Sequence, residues 1–149
     1  MENTKSRVTI HMAASLDGFI ARRDGSVEWL ETSDHFEGGE TMTSRELRKT
    51  RDTVEFYSGD LARLVDERLK PNFRSIWFVG GGEVSGECLR RGLADEVRYS
   101  IMPVLIGDGI SFFERLDTDV ALHLAEVKGF ETGMVALRYE VRKLAKAEA

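Results

Sequence analysis

Three consecutive glycines, Gly80, Gly81 and Gly82, follow the apolar run Ser75-Ile76-Trp77-Phe78-Val79 and precede a helical pattern over 83–91 that Gly92 closes. A strand that meets glycines and then a helix start lets backbone approach a ligand closely, because no Cβ stands in the way. The first N–H groups of such a helix lack partners inside it, and the helix dipole favours negative charge there. That combination suits a phosphate or pyrophosphate. The spacing is neither Gly-x-Gly-x-x-Gly nor a run ending in Gly-Lys-Ser/Thr, so neither nucleotide fingerprint applies. The same glycines also make a bare tight turn that packs helix against sheet, and the local sequence leaves both readings open.

Other residues carry candidate chemistry. Asp17 precedes Gly18 at the end of an alternating stretch, where a carboxylate positions a substrate amine or relays a proton through water. Its plain alternative is an Asp-Gly turn. Arg45 follows Thr43 and Ser44, and a guanidinium bonds phosphate bidentately. Its plain alternative is a solvated arginine beside Glu46. Glu83 opens the helix, where a carboxylate stabilises the dipole in any case. His11, His35 and His123 share no ligand spacing and Cys88 stands alone, so no metal site is expected. No nucleophile elbow is present. Cys88 reads as a small core residue, and Trp29 and Trp77 read as packing residues.

These residues need elements to position them. Val8, Ile10, Met12 and Ala14 alternate with polar or small residues and predict a strand that runs into Ser15, Leu16, Asp17 and Gly18. Residues 27–31 read as a helix start or packed loop, and 32–40 as the most loop-like stretch. Short strands are predicted near 41–45 and 53–56. Ser58-Gly59-Asp60 supplies a helix cap, after which Leu61, Leu64, Val65, Arg68 and Leu69 fall on one helical face. Residues 75–79 read as a buried strand. In the next helix Val84, Cys88 and Leu89 share a face, with Gly92 as its C-terminal stop. Val97, Tyr99 and Ile101 alternate over 96–102, and Pro103 begins an apolar-then-glycine loop through Gly109. Residues 120–128 and 134–142 predict a closing antiparallel hairpin. Helices interleave with strands early and a hairpin closes the chain, so the sheet is expected to be mixed.

Composition bounds the function. The 149 residues suit one compact domain over 1–149. A hydrophobic content of 42% and a charged content of 32% are those of a globular protein. The formal net charge of −5 argues against a broad nucleic-acid footprint, so an anionic ligand needs a local positive patch. A single cysteine excludes an intrachain disulfide. Together with an N-terminus lacking a signal pattern, it points to a reducing cytoplasm. No apolar run approaches the length of a membrane span.

Several segments together resemble one family, the riboflavin-biosynthesis reductase domain of RibD C-terminal type, a branch of the dihydrofolate reductase-like fold. They are Ala14-Ser15-Leu16-Asp17-Gly18-Phe19-Ile20-Ala21, Thr43-Ser44-Arg45, Phe78-Val79-Gly80-Gly81-Gly82, Gly92-Leu93-Ala94-Asp95-Glu96 and Pro103-Val104-Leu105-Ile106-Gly107-Asp108-Gly109. The resemblance spans residues 8–142. It implies an α/β three-layer fold, with a central mixed sheet flanked by helices, and reduction by a nicotinamide cofactor, usually NADPH. It places Val79, Gly80, Gly81, Gly82 and Glu83 against the cofactor, and Thr43, Ser44 and Arg45 against the adenosine 2′-phosphate. Asp17 becomes the candidate catalytic residue, and Ser15, Leu16, Gly18 and Pro103 border nicotinamide and substrate. The substrate is a small molecule with a C=N or C=O bond in a pteridine- or pyrimidine-like ring, and the assembly is a homodimer. One departure stands out. Between Trp29 and Thr43 the family has a helix and a strand ending in a Gly-Arg-x-Thr-Tyr/Phe element. Residues 32–42 are too few to hold either, so the chain is either shortened there or lacks a segment.

Overall fold

The computed structural model describes residues 5–41, 56–113 and 116–143. The expected strands near 41–45 and 53–56 fall largely outside these residues, as do Thr43, Ser44 and Arg45.

The first strand, β1 (Arg7–Ser15), is the middle of the parallel part of the sheet. Of its alternating apolar set, Val8, Ile10 and Ala14 are completely buried and Met12 is half-buried on one face, while Thr9 and Ser15 on the other face are buried as well. The sheet order is β3-β1-β4-β7-β6, with β3 (Ser75–Phe78) and β4 (Glu96–Met102) parallel to β1. The last two strands, β6 (Leu122–Gly129) and β7 (Val135–Val141), form the expected antiparallel hairpin, and β7 pairs antiparallel with β4. The sheet is therefore mixed, as its connections require. A second, two-stranded sheet joins β2 (Phe19–Ala21) to β5 (Ile110–Ser111).

Register places Ile76, Ile10, Val97 and their neighbours on one face of the large sheet. Val65, Cys88, Leu93 and Phe112 join them in the hydrophobic cluster. Burying each aliphatic side chain contributes roughly 1.5–3 kcal/mol relative to leaving it exposed.

The helix after the Asp60 cap starts as α1 (Leu61–Arg63) and continues in wider turns through Leu64–Leu69. Asp60 Oδ1 accepts the Ala62 N–H at 3.1 Å, so the expected cap is present. The wide turns, marked by Lys70 N–H donating to Val65 C=O at 2.8 Å, change the expected face. Leu61, Ala62, Val65 and Leu69 meet the cluster, while Leu64 and Arg68 line a separate hollow beside Tyr57. A pattern spaced for 3.6 residues per turn no longer points one way once the turn widens.

Two further expectations are corrected. Strand β3 is not buried throughout: among the described residues it is the sheet edge, and Trp77 is 46% exposed while Ile76 faces the core. In α2 (Gly82–Arg90) Cys88 and Leu89 reach the cluster, but Val84 is exposed. The buried stripe instead runs through Gly82, Ser85 and Gly86, small residues that let the helix lie close. The helix ends with Gly92 N–H on Leu89 C=O at 3.1 Å and Leu93 N–H on Cys88 C=O at 3.0 Å, a Schellman closure.

Candidate active site

Because β3, β1 and β4 run parallel, their C-terminal ends open on the same edge of the sheet. Three loops leave that edge: the glycine turn after β3, the Ser15–Gly18 corner after β1, and the 103–109 loop after β4. Ligands of open α/β sheets sit outside the carboxyl ends of strands.

At the glycine turn, Gly80 has φ +124° and Gly81 has φ +64°, values that L side chains rarely adopt. No heavy atom lies within 4 Å of where a Cβ on either would stand, so the turn faces open space. The Gly80 N–H is already used, donating to Met12 Sδ at 2.9 Å and tying the turn to β1. Ser85 N–H donates to Gly81 C=O at 3.2 Å, which starts the helix. The N–H groups of Gly81, Gly82, Glu83 and Val84 meet no acceptor among the described residues, and no side chain caps the helix. The cradle of unpaired amides thus begins one residue after the strand turn, at Gly81. Val79, 71% exposed, stands beside it.

The corner and the loop are fastened to each other. The Ser15 hydroxyl donates to Asp17 Oδ1 at 2.5 Å and accepts the Phe19 N–H at 3.0 Å. Asp17 also accepts the Gly107 N–H at 2.8 Å and the Ile106 N–H at 3.3 Å. Leu16 N–H donates to Val104 C=O at 2.9 Å, and Gly18 N–H to Ser15 C=O at 2.9 Å. The Ser15 hydroxyl, with the Gly107 and Ile106 amides, holds the Asp17 carboxyl below the usual carboxylate range. Asp17 is therefore an anion at neutral pH, and both its oxygens accept protein hydrogen bonds. On the far side of the loop, Arg23 Nη2 donates to Asp108 Oδ1 at 2.9 Å. Gly109 passes so close to β2 that a Cβ there would stand 2.2 Å from Ala21 O.

Of the expected site residues, Ser15, Leu16, Asp17 and Gly18 are thus joined to the loop that Pro103 begins. Ser15 is fully buried and Leu16 is 61% exposed. Pro103 turns toward the β6–β7 connection: a Cβ on Gly133 would stand 3.1 Å from its Cγ. Glu83 is exposed in the first turn of α2.

Sequence reasoning missed two groups. Met12 supplies the acceptor for Gly80, a role that a core-facing methionine does not advertise. Glu96, 1% exposed, accepts from Arg7 Nη1 at 2.8 Å, Arg98 Nε at 2.7 Å and Arg138 Nη1 at 3.4 Å. The visible signal was Glu96 and Arg98 two apart on a strand, hence on one face.

The short connection after Trp29 takes a course of its own. Trp29 is buried in a single turn, Glu28–Leu30. Phe36 N–H then donates to Glu131 C=O at 2.7 Å and Glu40 N–H to Gly129 C=O at 2.8 Å. Residues 36–40 therefore lie along the β6–β7 connection and add no strand beside β3.

A mixed sheet with a parallel core, a glycine turn feeding a helix and an antiparallel closing hairpin defines an α/β protein of the dihydrofolate reductase-like class. The RibD C-terminal domain pattern matches residues 39–136, and the chain belongs to that family. YwjB of Bacillus subtilis, an uncharacterized protein, is 27% identical over 163 aligned residues, covering 83% of this chain and 92% of YwjB. That alignment is longer than the 149-residue chain, so YwjB carries residues with no counterpart here. A Shewanella sp. PV-4 protein named for riboflavin biosynthesis superposes with a TM-score of 0.72 at 17% identity, over 92% of this chain and 99% of that one. The Saccharomyces riboflavin biosynthesis reductase Rib7 gives 0.54 at 15% identity, over 95% and 91%. These two likenesses establish the fold. No helix among the described residues is long and apolar enough to cross a membrane.

Proposed function

We propose that the protein is an NADPH-dependent reductase that transfers a hydride to a C=N or C=O carbon of a small pteridine- or pyrimidine-like heterocycle. The observation that carries this reading is the set of amides from Gly81 to Val84, without an acceptor among the described residues, beside the open Gly80–Gly81 turn at the end of a parallel strand. A phosphate fits there, because it accepts several N–H bonds and its charge suits the helix N-terminus. Bound NADPH supplies the hydride. The chain's part is to hold and orient. The glycine turn and Glu83 backbone take phosphate. Thr43, Ser44 and Arg45 select the 2′-phosphate. The Ser15–Gly18 corner and Pro103 border the reacting rings. Asp17, ionised and bonded to the loop, sets the shape of that border and presents negative charge to a substrate N–H. Protonation of the product comes from water. The working form is a single-domain homodimer in the cytoplasm.

A second reading keeps the fold without the chemistry: a nucleotide-binding or scaffold dimer. The residues that YwjB has and this chain lacks favour it. A thermal-shift titration with NADPH and NADH separates the two. Strong stabilisation selective for NADPH, with substrate-dependent oxidation of the cofactor, supports the reductase. No shift at millimolar cofactor overturns it and leaves the scaffold.

A further inference from the structure

A second concave surface lies on the sheet face turned away from the hydrophobic cluster. Register puts His11 of β1, Trp77 of β3, Arg98 and Ser100 of β4, Arg138 of β7 and Lys128 of β6 on this face. A groove of about 290 Å³ runs across it.

Its charge is unbalanced. Arg7, Arg98 and Arg138 share the one buried carboxylate of Glu96. Glu126 reaches Lys128 only at 3.8 Å, and Glu140 reaches Arg138 only at 3.9 Å, both from exposed positions. Arg98 gives Glu96 only its Nε–H, so the terminal N–H groups of its guanidinium carry no bond among the described residues. The surplus is positive in a chain whose formal net charge is −5.

Its other property is flat apolar surface. The Trp77 indole N–H is satisfied by Ser75 Oγ at 2.8 Å, so the half-exposed ring makes no polar demand on a ligand. The Arg98 guanidinium sits 5.2 Å from the Trp77 ring centroid, and His11 meets the ring edge-on at 5.2 Å. Phe130, Met134 and Ala136 line the far end of the groove. A guanidinium held against an indole is positioned to take a carboxylate while the rings beside it take a planar body.

We propose that this groove binds a planar aromatic carboxylate of one or two rings. Its ring lies along the Trp77 side of the groove, and its carboxylate meets Arg98, Arg138 and Lys128. This site uses none of the residues assigned to the cofactor.

Isothermal titration calorimetry of the full chain with 2-naphthoate tests it, with cyclohexanecarboxylate as the non-aromatic, non-planar probe of equal charge. The expected result is one 2-naphthoate per chain, bound more tightly than cyclohexanecarboxylate. Trp77→Ala and Lys128→Glu, both at exposed side chains, should each weaken it by about three- to tenfold. Circular dichroism checks that each variant is folded, and either folded variant decides the question. No saturable heat, equal affinity for the two probes, or affinity unchanged in the folded variants overturns the proposal. So does competitive displacement by NADPH, which would put the probe in the glycine cradle.

Discussion

The Gly107 amide donates to the Asp17 carboxylate at 2.8 Å, and through that bond the end of β1 holds the loop that leaves β4. With Ile106 and Ser15 as the other donors, one side chain ties the corner after β1 to the loop after β4. A carboxylate is suited to this, since it is acceptor-only and has room for several donors.

Asp17→Asn should loosen the loop, because one acceptor oxygen becomes an NH2 facing N–H or O–H donors. Hydrogen exchange at Ile106 and Gly107 is expected to accelerate while exchange within β1 stays slow. The acid dependence has a defined sign. The Asp17 carboxyl is held below its usual range, first by the Ser15 hydroxyl. Its contribution is complete above an ordinary aspartate pKa of about 3.9 and is lost as pH falls through the lowered value. Protection at Gly107 in the native protein should therefore persist at pH 5.

Gly81→Ala should cost stability through the backbone alone. Nothing lies within 4 Å of the new Cβ, but φ +64° is left-handed. The expected loss is roughly 1–2 kcal/mol in urea unfolding. A methyl group in the open niche should also abolish NADPH stabilisation in the thermal-shift assay.

Glu96→Gln should be the most damaging of these changes. It leaves three guanidinium groups without a buried counter-charge, at a cost of about 3 kcal/mol. That is the low end for a broken buried pair, because Arg7 and Arg98 reach solvent. Burial alone would raise the Glu96 carboxyl, but the Arg98 bond and the charges of Arg98, Arg7 and Arg138 outweigh it, and the net direction is down. Glu96 thus stabilises above an ordinary glutamate pKa of about 4.3 and stops doing so as pH falls through its lowered value. Denaturant titrations should show wild type and variant far apart at pH 7 and converging in acid.

Arg45→Ala should narrow the preference for NADPH over NADH, since NADH lacks the 2′-phosphate that a guanidinium would hold. The ratio of the two dissociation constants measures this directly. An unchanged ratio removes Arg45 from the cofactor site.

Local pattern alone determined β1, β4 and the closing hairpin, the Asp60 cap, the Gly92 stop and the mixed sheet. Each of these follows from alternation, capping chemistry or chain connectivity within a few residues. Family motifs carried the fold assignment further than any single segment could. Tertiary structure decided the rest. Trp77 reads as a core residue until the sheet order leaves β3 at an edge among the described residues. Helix 61–69 reads as regular until its turns widen. Glu96 and its arginines come from β1, β4 and β7, and Asp17 meets Gly107 from 90 residues away. Spacing along the chain reports what neighbours do to one another. It carries no record of which distant strand ends will share an edge, and that sharing sets the charge and hydrogen bonding of the site.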